Sequence, residues 1–171
     1  DNERILVIDW LVPTPDRDSG SYRMRMILEI LAAAEPGRID FIGDRPAESD
    51  LYADALIELG IQVMIGETAA LTHLMSHGGR YRAVWISRPE IMERYLPMVR
   101  AFAGRARVFY DTVDLHWVRF TRGCQFERDP RELEAVADRY HRLELANARA
   151  ADVTIAITPE ERAILLVEDP E

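Results

Sequence analysis

The residues best suited to chemistry lie in one short run, Asp111-Thr112-Val113-Asp114-Leu115-His116-Trp117-Val118-Arg119. Asp111, Asp114 and His116 place two carboxylates and an imidazole close together, where they could serve as base, hydroxyl binder or metal ligands. The spacing matches no recognised metal signature, so no metal is expected here. A satisfied structural histidine is the plainer alternative for His116. Trp117 could stack on a sugar ring or pack its own loop. Arg119, and Arg88 behind an earlier apolar run, carry the planar fork that suits phosphate or carboxylate, with a surface salt bridge as the alternative for each.

A second run with chemical promise is Asp9-Trp10-Leu11-Val12-Pro13-Thr14-Pro15-Asp16-Arg17-Asp18-Ser19-Gly20. Small residues at Ser19 and Gly20 would let a ligand approach the N-terminus of the helix that follows, where free N–H groups favour anions or sugar hydroxyls. The alternative is a Pro-rich turn with Asp18 or Ser19 capping that helix. No G-x-G-x-x-G follows the first apolar run, which disfavours NAD, FAD and methyl-donor nucleotides.

Both runs need elements to hold them. Short apolar stretches alternate with helical patterns, the signature of βαβ units and a parallel sheet. Strands are predicted at Ile5–Ile8, Ile39–Ile42, Ile61–Ile65, Ala83–Ile86, Arg107–Tyr110 and Val153–Ile157. Met24, Ile27, Leu28 and Leu31 mark a first helix that Pro36-Gly37 stops. Further helices are predicted at 50–59 and 68–77. Another follows Ser87-Arg88-Pro89-Glu90, which has capping-box spacing, with Ile91, Tyr95, Met98, Val99 and Phe102 inward and Pro97 as a kink or break. Asp129-Pro130-Arg131-Glu132 opens a long helix to about Ala150, with Leu133, Val136, Ala137, Tyr140 and Leu143 inward. Thr158-Pro159-Glu160-Glu161 is a second capping box. The segment Asp111–Arg128 reads as irregular. The expected fold is a Rossmann-like doubly wound parallel sheet of about six strands, with helices on both faces, as one domain over 1–171.

Composition removes several function classes. The chain has 171 residues, 48% hydrophobic and 30% charged, with a net charge of −9; such acidity argues against broad nucleic-acid binding. All 21 basic residues are Arg, which excludes the P-loop lysine, Schiff-base catalysis and the lysine of receiver domains. Cys124 is the lone cysteine and can form no internal disulfide, which fits a bacterial-type cytoplasm. No apolar run approaches the ~20 residues of a membrane span. His73, His77 and His141 read as surface or structural, and Trp85 as core. Arg139, Arg142 and Arg149 form at most a weak membrane-facing stripe, a solvated face being the plainer reading. Asp1-Asn2-Glu3-Arg4 shows no signal-peptide pattern, and the absent initiator Met suggests an excised or processed piece.

Three stretches together resemble bacterial family-4 glycosyltransferases, over nearly the whole chain. The first is Ile5-Leu6-Val7-Ile8-Asp9 with Pro13-Thr14-Pro15-Asp16-Arg17-Asp18-Ser19-Gly20-Ser21-Tyr22-Arg23. The second is Tyr110-Asp111-Thr112-Val113-Asp114-Leu115-His116. The third, and most specific, runs from Glu144 through Ala151-Asp152-Val153-Thr154-Ile155-Ala156-Ile157 to Glu161. The resemblance implies the N-terminal, acceptor-side half of a GT-B fold, retaining and metal-independent, with no tightly bound cofactor and a UDP- or GDP-sugar as donor. Its partners would be a sugar or glycolipid acceptor and a C-terminal donor domain absent from these residues, so the fragment alone would be inactive. The expected location is the cytoplasm, with peripheral contact at the inner face of the membrane as the weaker alternative.

By the same resemblance Ser19 and Gly20 match the glycine-rich acceptor loop, and the Asp16–Arg23 stretch, with Arg23, would contact the acceptor. Asp114 and His116 fall where the family places a catalytic or sugar-binding His or Asp, with Asp111 competing. The sequence departs from the family in two ways: Ser19-Gly20 replaces paired glycines, and His116 lies further from the strand end. A non-catalytic ligand- or partner-binding module and half of a GT-B-like epimerase or phosphorylase are the alternatives. All of these rest on one spatial expectation, that the long connections Asp9–Gly20 and Asp111–Arg128 converge beside a parallel sheet.

Overall fold

A computed structural model describes residues 3–168; Asp1, Asn2 and residues 169–171, the ends of the expected domain, lie outside the described residues. The chain alternates strictly between strand and helix at first: β1 (Arg4–Leu11), α1 (Ser19–Ala34), β2 (Ile39–Arg45), α2 (Leu51–Ile57), β3 (Gln62–Ile65), α3 (Glu67–His77), β4 (Tyr81–Ser87), α4 (Pro89–Phe102) and β5 (Arg107–Asp111). It continues with α5 (His116–Cys124), α6 (Arg131–Ala150), β6 (Val153–Ile155) and α7 (Pro159–Glu168). The six strands form one sheet in the order β3-β2-β1-β4-β5-β6, and every neighbouring pair is parallel. The expected Rossmann-like doubly wound architecture is therefore present.

Two cores cover the two faces, because successive strand residues point to opposite sides. Val7 and Phe41 meet Met24, Leu28 and Ala32 of α1 and Leu56 of α2 on one face. Leu6, Ile8, Val84, Ile86, Val108 and Tyr110 meet Ala70 and Leu74 of α3 and Ile91, Met92, Tyr95 and Val99 of α4 on the other. Both cores are closed to solvent. The order reverses between β1 and β4, so the first connection diverges there from the later ones, and a crevice opens at their carboxyl ends.

Several local expectations need correction. Asp111–Arg128 is not irregular: only Thr112–Leu115 separates β5 from α5. Trp117, Phe120 and Cys124 recur at helical spacing and press α5 onto α6, with the Phe120 and Tyr140 rings 5.2 Å apart. Ser87 does not cap α4; its hydroxyl lies 3.3 Å from Asp111 Oδ2, and the N-cap is Arg88 with no side-chain bond to the helix. Pro97 leaves α4 continuous, and Phe102, expected inward, is 38% exposed. Thr158 does cap α7, accepting from the Glu161 N–H at 3.1 Å.

The amino-terminal end of the sheet is tied by a buried polar knot. Asp40, 1% exposed, accepts hydrogen bonds from the Arg4 guanidinium and, at 2.6 Å, from the Tyr81 hydroxyl. His73 Nε2 meets the same hydroxyl at 2.5 Å, so the imidazole donates there. Burial raises the Tyr81 phenol, reinforced by its bond to Asp40, while burial lowers His73. This knot braces the floor of the fold, opposite the crevice.

Candidate functional site

Strand alternation decides which side chains reach the crevice. Val7 and Trp85 pack on the α1 side of the sheet, so Asp9 and Ser87, two positions further along, share that side. Asp111 ends β5 in register with Ser87. Three polar residues thus lie at or near the carboxyl ends of three interior strands, all buried: Asp9 at 3%, Ser87 at 0% and Asp111 at 0% exposure. Buried carboxylates need partners, and arginines from two other elements supply them. Arg88 Nε donates to Asp9 Oδ1 at 2.8 Å. Arg23, one turn into α1, donates to Asp111 Oδ2 at 2.6 Å.

Asp111 is fully engaged. Besides Arg23, its Oδ2 lies 3.2 Å from the Trp85 indole N–H and 3.3 Å from the Ser87 hydroxyl, and its Oδ1 accepts from the Val113 N–H at 3.2 Å. Such a carboxylate organises its surroundings and offers little lone-pair capacity to a ligand. Asp9 is different: burial raises its carboxyl above the ordinary value, against the pull of Arg88 and the Trp10 N–H. The Arg88 guanidinium also lies 5.9 Å from the centre of the Trp10 ring, as does that of Arg45. Trp10 is 40% exposed, and Arg94 holds Asp44, the acidic neighbour of Arg45, at 2.6 Å.

The first connection arrives at the same place. Asp18 caps α1 by accepting from the Ser21 N–H at 2.8 Å; partial burial opposes ionisation, yet the Ser21 bonds keep its carboxyl below the ordinary value. Ser19 is exposed at the helix start. At Gly20 a Cβ would stand 3.1 Å from Arg88 Nη2, 3.2 Å from Asp18 Oδ1 and 3.7 Å from Val113 Cγ1. Glycine here lets the start of α1 press against the β4–α4 and β5–α5 connections at once. Those connections carry the two non-glycine residues with positive φ among the described residues, Arg88 at 78° and Val113 at 65°. Such conformations cost ~1–3 kcal/mol each and cluster at functional sites. The Arg88 N–H bonds the Asp111 carbonyl at 2.9 Å, which holds the unfavourable turn in place.

The imidazole lies deeper. His116, 9% exposed, is the first residue of α5, and Glu144 of α6 reaches it from below with a carboxylate that is 0% exposed. Glu144 Oε1 accepts from the His116 backbone N–H at 2.9 Å and stands 3.1 Å from His116 Nδ1; Oε2 accepts from the Trp117 N–H at 3.1 Å. The His116 ring stacks on Tyr140, centroids 5.1 Å apart, and Tyr140 donates to Glu90. Burial opposes protonation of His116, but the bond to Glu144 and the charge of Asp114 outweigh it and raise its basicity. Asp114, half-buried, is paired with Arg119 at 2.9 Å.

The structure therefore brings Gly20, Arg23, Arg88 and Asp111 together through direct contacts, with Asp18 against Gly20. Asp114, His116 and Arg119 form an adjoining group linked through Val113. Trp117 stands apart: its ring lies 4.5 Å from His141 of α6, between the two helices. Sequence reasoning named Asp9, Trp10, Ser87 and Glu144 but gave none of them its own role in the site. Asp9 and Ser87 were signalled by their place at strand ends, and Glu144 by being an acid on the inward stripe of α6.

Among the described residues no group of three or more His, Cys, Asp or Glu is placed to hold a metal ion, and no helix is long and apolar enough to cross a membrane. An open groove of about 1140 Å³ along β6 and α7 is lined by Val153, Ile155, Ile157 and Leu166 and shares no residue with the crevice. The buried charges Asp9 and Asp111 lie in the crevice and not in this groove. Compared with known proteins, the chain matches no protein-family model, no curated protein and no solved structure.

Proposed function

We propose that this chain is the acceptor-side domain of a GT-B-type glycosyltransferase, presenting the hydroxyl of a glycan or lipid-linked sugar to a UDP- or GDP-sugar held by a second domain. The observation that carries the reading is the convergence at Gly20, where the start of α1 meets Arg88 and Val113 from two other strand ends. A crevice at the carboxyl ends of parallel strands is where open α/β sheets bind ligands. Its arginines suit oxygen-rich ligands.

In this reading Asp111 with Arg23 fixes the wall of the crevice, and Asp114 or His116 orients or polarises the reacting hydroxyl. Ser19, Gly20 and Arg88 line the acceptor side. Trp10 adds an exposed ring on which a sugar face can stack. Retention of anomeric configuration, without a metal, belongs to the same proposal. The chain by itself is expected to turn over no substrate, because donor contacts must come from elsewhere.

The test is release of nucleoside diphosphate from a UDP- or GDP-sugar by the complete gene product. Gly20→Leu would push on the Arg88 guanidinium and the Asp18 cap, and should reduce turnover at least tenfold. His116→Ala or Asp114→Ala should do the same. Near-normal rates in both alanine variants reject their roles. A gene encoding no second domain after Glu171 removes the proposal altogether.

A further inference from the structure

The carboxylate of Glu144 is closed to solvent, and the bonds it makes among the described residues come from His116 and Trp117. A buried acid without a cation is costly unless N–H donors surround it. Here three do: the backbone N–H groups of His116 and Trp117, and the imidazole of His116. Simple capping of α5 needs only the backbone pair. The imidazole contact is a separate feature, and it has a chemical consequence.

Among the described residues His116 Nδ1 faces acceptors alone: Glu144 Oε1 at 3.1 Å, the Asp114 carbonyl oxygen at 3.1 Å and Asp114 Oδ1 at 3.6 Å. A ring nitrogen surrounded by acceptors carries the proton, which leaves the other nitrogen with the lone pair. Turning the ring over would set Cδ2–H, a far poorer donor, against Glu144 Oε1 and the Asp114 carbonyl, so these acceptors hold the observed orientation. We infer that Glu144 is a positioning residue that fixes His116 as the Nδ1–H tautomer, so that Nε2 is the atom that accepts a proton from a ligand hydroxyl. The arrangement is that of a histidine base oriented by a buried carboxylate. It singles out His116 over Asp111 and Asp114 as the proton acceptor, and to that extent rests on the hydroxyl-bearing ligand proposed above.

The groups around the ring come from four elements. Glu144 and Tyr140 belong to α6, Asp114 to the β5–α5 connection, Arg119 to α5, and Glu90 of α4 stands behind the Tyr140 hydroxyl. Arg119 is half turned away, neutralising Asp114. Removing the Glu144 charge therefore leaves Asp114 as the remaining acid beside Nδ1, itself paired.

The experiment is long-range proton–nitrogen spectroscopy of the ¹⁵N-labelled chain, with the His116 signals assigned by their loss in His116→Gln. Above the titration midpoint the expected result is a ring protonated at Nδ1 in the unmodified chain, and in Glu144→Gln a mixed tautomer with a lower midpoint. A ring protonated at Nε2, or a folded Glu144→Gln with unchanged tautomer and midpoint, overturns the inference. If Glu144→Gln does not fold, the tautomer of the unmodified chain decides alone. No substrate is involved, so this result stands or falls separately from glycosyl transfer; a chain with the Nδ1–H tautomer but no transferase activity would sink the proposed function only.

Discussion

Arg23 Nη1 lies 2.6 Å from Asp111 Oδ2, joining a carboxylate closed to solvent at the end of β5 to a guanidinium one-third exposed on α1. Removing only the cation would strand a buried negative charge, which typically costs ~3–5 kcal/mol. Water can reach the Arg23 side, and Trp85 and Ser87 still donate, so Arg23→Met should cost nearer ~2 kcal/mol. Asp111→Asn in the Arg23→Met background should recover more than half of it. Urea unfolding of the two single variants and the double variant measures the coupling; strict additivity would show that the pair contributes nothing.

Asp9 gives a pH-dependent prediction with a definite sign. Its carboxyl is raised above the ordinary value, burial being the main cause. The folded chain therefore holds that proton more tightly than the unfolded chain does. The stability contributed by the group is present below the unfolded value of ~3.9 and is lost as pH rises through the folded value. Asp9→Asn keeps an acceptor for Arg88 without the buried charge. At pH 7 it should be at least as stable as the unmodified chain, with its advantage shrinking as the solution is acidified. Thermal melts at several pH values decide this, and a pH-independent loss on substitution would contradict it.

Val113 is a β-branched residue at φ 65°, a conformation that glycine adopts without penalty. Val113→Gly should relieve ~1 kcal/mol, raising Tm by ~2–4 °C for a domain of this size. The same change should weaken any ligand held against Gly20, since the wall formed by Val113 would loosen. A fall in Tm would mean that the valine contributes more by packing than its backbone costs.

At the opposite end of the sheet, Tyr81→Phe separates stability from function. It removes the donor to Asp40 and the acceptor for His73, at a cost of ~1–3 kcal/mol. It touches nothing in the crevice. In the complete gene product, turnover per folded molecule should be unchanged while the unfolding midpoint falls.

Where the sequence was legible, the reason is burial on both faces. Strands such as Ile5–Ile8 and Ala83–Ile86 are apolar throughout because helices cover each side, and such runs cannot be disguised. Helix α5 escaped because Val118, Thr121 and Gly123 are poor helix formers, and its stability comes from α6 and from the Glu144 cap, neither of which is local. The Arg23–Asp111 and His116–Glu144 contacts join residues far apart along the chain, so nothing in either neighbourhood announces them. Ser87 misled for a related reason: a serine before Pro and Glu reads as a cap, but a buried carboxylate nearby competes for its hydroxyl. The long connection after β1 was a sound guide to the crevice; the one after β5 was not long at all.

One last consequence comes from the order of the sheet. Parallel ladders loosen from their outer strands inward. Here β6 is joined along one edge only, through Phe109–Val153, Tyr110–Thr154 and Asp111–Ile155, while β1 and β4 are flanked on both sides. Amide exchange should be slowest in β1 and β4 and fastest in β6. Asp9 and Ser87 are mounted on the two strands that open last, and Asp111 is tied back to them by Arg88 and Ser87. The rim can breathe many times before the crevice loses its shape.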